Sequence, residues 1–247
     1  MKTKQIISGD VFTTNEGGSV TVVEYRGAFE VVIKHDDSHE HIATVTAQHL
    51  RNGGVRNPYR PSVYGIGFMG VGEHPASVNG KDTPAYKTWS SMLRRCHCPK
   101  LHARKPTYAN CSVHPNWHNF QVFAEWFERQ YFATCWHLDK DLIVEGNKIY
   151  SADNCVFVPS QLNTLLTDCG NARSDLPQGV SPNGKGYLAK LRIDGKRHSL
   201  GTYATPEEAF QVYKKAKEAN VKRMAEQYKF LIDPRVYDSL MRYEVVK

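Results

Sequence analysis

Apolar positions along the chain change period several times, and each change predicts a different element. From Val20 to Tyr25 and from Phe29 to Lys34, β-branched and aromatic residues gather on either side of Arg26-Gly27, the pattern of a hairpin. Ile42 to Thr46 is a third run of that kind, so residues 1 to about 50 read as a small barrel or meander. Between Arg51 and Gly72 the periodicity disappears and Gly, Pro, Arg and aromatics take over, which predicts a linker or an ordered loop. Helical spacing follows. Trp89, Met92 and Leu93 within Tyr86 to Arg95, and Trp117, Phe120, Phe123, Trp126 and Phe127 within Trp117 to Phe132, each predict an amphipathic helix.

Trp136 to Asp141 alternates briefly and ends in acids, as a strand running into a loop does. Gly146-Asn147 turns the chain, Cys155 to Val158 is a second short strand, and Pro159-Ser160 opens a helix carrying Gln161 and Asn163. This predicts strand, turn, strand and helix, packed on the preceding aromatic stripe. Thr167 to Leu176 reads as a polar linker. Beyond it come a short strand at Gly179-Val180, a turn at Asn183-Gly184 and a strictly alternating strand from Tyr187 to Ile193. The favoured hairpin turn Asp194-Gly195 then leads to a third strand, Lys196 to Tyr203. Thr205-Pro206-Glu207-Glu208 joins a capping box to a proline at the first helical position, and Ala209, Val212, Tyr213, Ala216 and Ala219 form the expected buried stripe.

The expected class is therefore modular α+β. A small β-rich unit and basic linker span 1–72, a core spans 84–168, and a three-stranded sheet packed on a helix spans 177–220. A basic tail over 221–247 holds helical pieces divided at Asp233-Pro234.

Charge narrows the partner. The 32 basic and 25 acidic side chains give a net charge of +7, and six of those seven positive charges fall after Ala172. Such a surface attracts polyanions, and without an apolar run near 20 residues the chain has no predicted membrane span. Met1 to Ile7 lacks the continuous apolar region of a secretory signal, so an intracellular protein is expected. Six cysteines are too few for a disulfide scaffold of this length and read as thiols or metal ligands. Cys96, Cys98, Cys111 and His114 offer donors for a structural Zn²⁺, but Cys96-x-Cys98 is tighter than usual zinc spacing and buried thiols are the alternative. His35, His39 and His41 lie among acids in what reads as a solvated turn. Arg51, Arg56 and Arg60, with Tyr59 and Tyr64 between them, suit contacts to a nucleic-acid backbone and base stacking, or a solvated connector.

Four segments carry a resemblance. Leu138-Asp139-Lys140-Asp141, Gly146-Asn147-Lys148-Ile149, Asn154-Cys155 and Val158-Pro159-Ser160-Gln161-Leu162-Asn163 resemble, in order, the core of the HNH or ββα-metal nucleases, especially the homing endonucleases of phages and introns. The resemblance implies a ββα-metal core using Mg²⁺ or Mn²⁺, Asp139 and Asn163 as metal ligands, and Asn154 as the side chain that ties the loop together. It also implies a phage or mobile-element origin. Lys140 stands where the family has its catalytic His, and Tyr150-Ser151 replaces the usual Asn-Asn. The departure bears on chemistry. Cutting a phosphodiester needs a hard cation with oxygen ligands and a group that takes a proton from water. A free lysine, with a pKa of about 10.4, is protonated at neutral pH. In a strand His137, Asp139 and Asp141 share a face while Lys140 points the other way, so His137 is the second candidate base.

The C-terminal unit resembles the DNA-binding domain of the plant APETALA and ethylene-response factors. The matching residues are Gln178-Gly179-Val180, Tyr187-Leu188-Ala189-Lys190-Leu191, Leu200-Gly201-Thr202-Tyr203 and Thr205-Pro206-Glu207-Glu208-Ala209. This resemblance implies a sheet that lies in the major groove of double-stranded DNA, reaching it with Lys185, Tyr187, Lys190, Arg192, Lys196 and Arg197. The two resemblances together lead to the expectation of a sequence-selective, metal-dependent DNA endonuclease of the homing type. The alternative is a DNA-binding protein without catalysis, acting as a regulator or interference factor.

Overall fold

The computed structural model describes residues 5–130, 133, 135–166 and 176–245. The polar linker expected over Thr167 to Leu176 lies almost entirely outside the described residues, as do the first four residues and Phe132. The chain divides into two units, Met1–Pro106 with Pro115–Glu125 and Thr107–His114 with Trp126–Lys247.

The first unit begins with a four-stranded antiparallel meander, β1 (Val11–Thr13), β2 (Ser19–Gly27), β3 (Glu30–His35) and β4 (Ile42–Val45). Val20, Val22, Val31 and Ile33 alternate into its core with Leu50 from the short helix α1 (Ala47–Arg51). The predicted hairpin is present, but its register pairs Gly27 with Glu30, so Ala28-Phe29 turns the chain rather than Arg26-Gly27. The Arg51 to Gly72 stretch is an ordered loop docked on this unit. Asn57 donates to the Asp37 carboxylate, Phe68 pairs with the backbone on both sides of Asn119, and Tyr59 stacks on His39 with centroids 4.5 Å apart. His35 is not in a solvated turn. It is 2 % exposed, because alternation along β3 points it inward with Val31 and Ile33. A two-stranded hairpin, β5 (Ser77–Val78) and β6 (Lys81–Asp82), turns at Asn79-Gly80, whose positive φ angles suit those residues. It leads to α2 (Pro84–His97), α3 (Pro99–Arg104) and the start of α4 (Phe120–Glu128), where Trp89, Trp117, Phe120 and Phe123 pack edge to face or tilted.

The second unit holds β7 (Ser112–Val113), β8 (Trp136–Asp139), β9 (Ile149–Tyr150), β10 (Val156–Pro159) and α5 (Ser160–Leu166). It continues with β11 (Val180–Asn183), β12 (Gly186–Ile193), β13 (Lys196–Tyr203), α6 (Pro206–Tyr228) and α7 (Pro234–Met241). β8 and β10 pair antiparallel, and β9 adds a short parallel pairing with β7.

The capping box predicted at Thr205 is present: its hydroxyl accepts the Glu208 N–H at 3.2 Å while the Glu208 carboxylate accepts from the N-cap backbone. The helix it starts does not stop near 220. α6 runs 23 residues, so the boundary expected between a domain and a tail falls inside one helix. Its first half carries Ala209, Phe210 and Tyr213 into the core beneath β11, β12 and β13, together with Ala189 and Leu191. Its second half carries Val221, Met224 and Ala225 into a different core formed with Val156, Val158, Leu162, Val236 and Leu240. Burial of each such aliphatic side chain is worth about 1.5–3 kcal/mol, so both ends of the helix are anchored. The expected stripe is displaced by one position in places: Ala219 is exposed, while Phe210, Lys217 and Asn220 are buried.

β10 is buried along its whole length. Phe157 meets Trp126 and Phe127, with ring centroids 6.0 and 5.4 Å away. Val156 and Val158 face α6 and α7 instead. The aromatic stripe is thus only half of the platform expected for this hairpin, because a strand with apolar residues at every position packs on two sides. Among the described residues, no helix is long and apolar enough to cross a membrane.

Candidate nucleic-acid interface and metal centre

The register of β8 against β10 decides which side chains meet. Opposite residues in an antiparallel pair share a face. His137 lies opposite Val158 and Asp139 opposite Val156, so both belong to the face on which Leu162 of α5 packs. Asn163 is the next residue of that helix and is half-buried. A strand carboxylate and a helix amide therefore stand on one side of the hairpin. His137 is exposed on that side, while Leu138 turns to the other with Phe157.

Asp139 ends its strand by accepting two backbone N–H groups on Oδ1, from Asp141 at 3.0 Å and Leu142 at 2.8 Å. Burial raises its pKa, the neighbouring Asp141 charge raises it further, and the two N–H bonds only partly oppose them. Negative charge is crowded there. A hard cation would relieve that crowding, and Oδ2 is not used by either N–H bond. Mg²⁺ commonly takes one or two protein oxygens and completes its shell with water and phosphate, so Asp139 with Asn163 suits it. Among the described residues, no three His, Cys, Asp or Glu side chains are placed to hold a metal ion. Of the expected zinc donors, Cys96 and Cys111 are buried thiols.

Lys140 leaves the strand in the opposite sense and is 6 % exposed. Its ammonium lies 2.9 Å from the Asp141 carboxylate and 5.9 Å from the Tyr150 ring centroid. Burial alone would depress its pKa, but the hydrogen bond and charge of Asp141 outweigh that and hold it above the ordinary value. It is a fixed cation. A group so held does not accept a proton near neutral pH.

The loop between the strands is tied mainly by Asn147, not by Asn154. The Asn147 amide donates to the Lys140 carbonyl at 2.6 Å and the Ile149 carbonyl at 2.8 Å, and its oxygen accepts the Ile149 N–H at 3.2 Å. Asn154 adds one longer bond, 3.4 Å to the same oxygen. The signal for Asn147 was its place after Gly146, whose φ of +75° lets the chain fold back on the loop.

The three-stranded sheet separates its faces as alternation predicts. Lys190 lies opposite Ser199 and Arg192 opposite Arg197, all exposed, while Ala189 and Leu191 turn to α6. Lys185 is exposed in the β11–β12 turn, and Lys196 is exposed at the far end of the hairpin. Tyr187 is withdrawn from this outward set, because it shares the inner side with Ala189 and packs against the sheet core. Arg51, Arg56 and Arg60 belong to the first unit, where Arg51 ends α1 and all three are exposed. Tyr59, stacked on His39, is committed to that unit's own packing.

A cleft of about 1020 Å³ lies within the second unit, between α5 and the half of β12 that β11 leaves uncovered, with α6 as its floor. No known family model, curated protein or solved structure matches this chain.

Proposed function

We propose that the chain binds double-stranded DNA through the outward face of its C-terminal sheet and hydrolyses a phosphodiester at the β8–β10–α5 hairpin with a divalent cation. The observation that carries this reading is the register that puts Asp139 and His137 on the side of the hairpin covered by α5, the helix bearing Asn163. The crowded carboxylates at Asp139 and Asp141 support a cation site held by Asp139 and Asn163. When bound, Mg²⁺ or Mn²⁺ would supply charge neutralisation at the scissile phosphate. His137, exposed on the same face, takes the proton from the attacking water. Lys140, kept protonated by Asp141, is not the base. Lys190, Arg192 and Arg197 neutralise backbone phosphates on the duplex. These features agree with the HNH and ethylene-response-factor resemblances of the sequence, and a phage or mobile-element nuclease of the homing type is the corresponding biological role.

A second reading has its own observation. Lys140, buried and paired with the half-exposed Asp141, occupies the position of the family's catalytic His, which favours a DNA-binding protein that acts by occupancy. Incubating purified protein with supercoiled DNA and Mg²⁺ or Mn²⁺, against EDTA, separates the two. Metal-dependent nicking supports the first. Tight, salt-sensitive duplex binding without nicking under either metal supports the second and refutes the first.

A further inference from the structure

The cleft beside the sheet has features that duplex binding by the outward face leaves unexplained. β11 pairs with β12 only from Gly186 to Ala189, with one further bond from the Lys190 N–H to the Gly179 carbonyl at 2.8 Å. From Leu191 to Ile193, that edge of β12 is paired with no strand among the described residues. α5 stands across the gap, presenting Gln161, Thr164 and Leu165, and α6 closes the bottom.

The rim is built rather than loose. Arg223 of α6 donates to the Asp194 carboxylate at 2.8 Å and to Asn220 Oδ1 at 2.9 Å, which ties the β12–β13 turn to the helix. Lys217, buried, donates to the Leu165 carbonyl of α5. Among the described residues, five basic side chains and one acid, Asp194, line the cleft. Two of the five are engaged in holding its walls, and Lys190, Arg192 and Arg197, the cations of the outward face, border it from the strand side. Between them lies an apolar strip from Leu165, Leu191 and Met224, flanked by the amides of Gln161 and Gln227.

We propose that this cleft is a second nucleic-acid site, which holds a few unpaired nucleotides next to the duplex on the sheet. The inference rests on the reading of that sheet as a DNA-binding surface. Its volume is at the upper end of the roughly 300–1,000 Å³ typical of small-ligand sites. A volume of that size suits a few nucleotides. The chemistry matches an unpaired strand. The bordering cations meet its phosphates, Leu165 at the apolar bottom meets the bases, and the amides of Gln161 on α5 and Gln227 on α6 meet base edges that pairing would otherwise hide. The α5 wall belongs to the helix that carries Asn163, so the strand held here leads toward the proposed cutting site.

Thr164 and Gln227 line the cleft, are exposed, and lie away from the outward face of the sheet. Thr164→Glu and Gln227→Glu, singly and together, therefore put negative charge in the cleft alone. Binding is read in EDTA by fluorescence anisotropy, with a labelled short oligothymidylate and with a labelled DNA hairpin duplex. Circular dichroism and thermal melts confirm that the variants fold. The proposal expects the double variant to weaken single-strand binding by about tenfold or more, as like charges across a recognition site do. Duplex binding should stay within about twofold. Equal weakening of both, or no weakening of either, would overturn it. A wild-type protein that binds the duplex but no single strand would also overturn it while leaving the functional proposal standing; failure to bind either would remove the functional proposal itself.

Discussion

Lys140 offers a test in which the structure separates a small loss from two larger ones. The side chain is 8 % exposed and its partner Asp141 is 44 % exposed. Lys140→Met keeps most of the buried stem and removes the charge. The Asp141 carboxylate rehydrates at the surface, and the ammonium no longer has to be held out of water. The loss is then on the scale of an exposed pair, below about 1 kcal/mol. Lys140→Ala removes three buried methylenes at about 0.8 kcal/mol each, or roughly 2–3 kcal/mol. Asp141→Ala strands the buried ammonium, for which breaking a fully buried pair costs roughly 3–5 kcal/mol. Relief of the crowded Asp139 carboxylate offsets part of this, so the loss falls below that range.

Since the pair holds Lys140 above its ordinary pKa, its contribution is complete below about pH 10 and is lost as pH rises through the raised value. Urea denaturation followed by tryptophan fluorescence, to which Trp126 and Trp136 of this unit contribute, measures the three differences. A Lys140→Met loss as large as that of Lys140→Ala would refute the argument.

Three further outcomes are expected. Gly179 sits at φ +75°, where a Cβ would overlap the ring of the buried Tyr213, so Gly179→Ala should destabilise the sheet unit by more than about 2 kcal/mol in thermal or urea melts. Burial first, then the His41 charge, lowers the pKa of His35, whose Nε2 is buried without a partner. Stability of the first unit should therefore fall as pH drops below about 6.5, and His35→Leu should remove most of that slope in melts between pH 7 and 5. The raised pKa of Asp139 means that protons compete with a cation there earlier than at an ordinary aspartate. Mn²⁺ affinity, followed by electron paramagnetic resonance, should decline on acidification while the pH is still above the usual carboxylate range, and Asp139→Asn should lose it.

What the sequence made legible is mostly local. The hairpin turn at Asp194-Gly195, the capping box at Thr205 and the strand–turn–strand–helix order around Asp139 each rest on neighbouring residues, and the structure contains all three. Alternation also separated Lys190 and Arg192 from Leu191. The misread features depend on distant partners. β7 and β9 are two residues each and pair in parallel across 35 intervening residues, too short for any period to appear. α6 looked like a domain helix followed by a tail, because its apolar positions serve one core before Ala219 and another after Asn220. His35 read as part of a solvated turn and is buried by the alternation of β3. The loop tie fell to Asn147 because the Lys140 and Ile149 carbonyls converge on it only once the loop has closed.

The central claim is that Asp139 and His137, on the α5 side of the hairpin, perform the cut while Lys140 does not. Single-turnover cleavage of supercoiled DNA in Mg²⁺ by Asp139→Ala, His137→Ala and Lys140→Met, beside the wild type, tests it most directly. The account predicts no detectable nicking by Asp139→Ala, a loss of about 10²–10⁴-fold in His137→Ala, as removal of a general base produces, and near wild-type nicking by folded Lys140→Met. Wild-type rates in Asp139→Ala or His137→Ala, or loss of nicking in Lys140→Met alone, would contradict it.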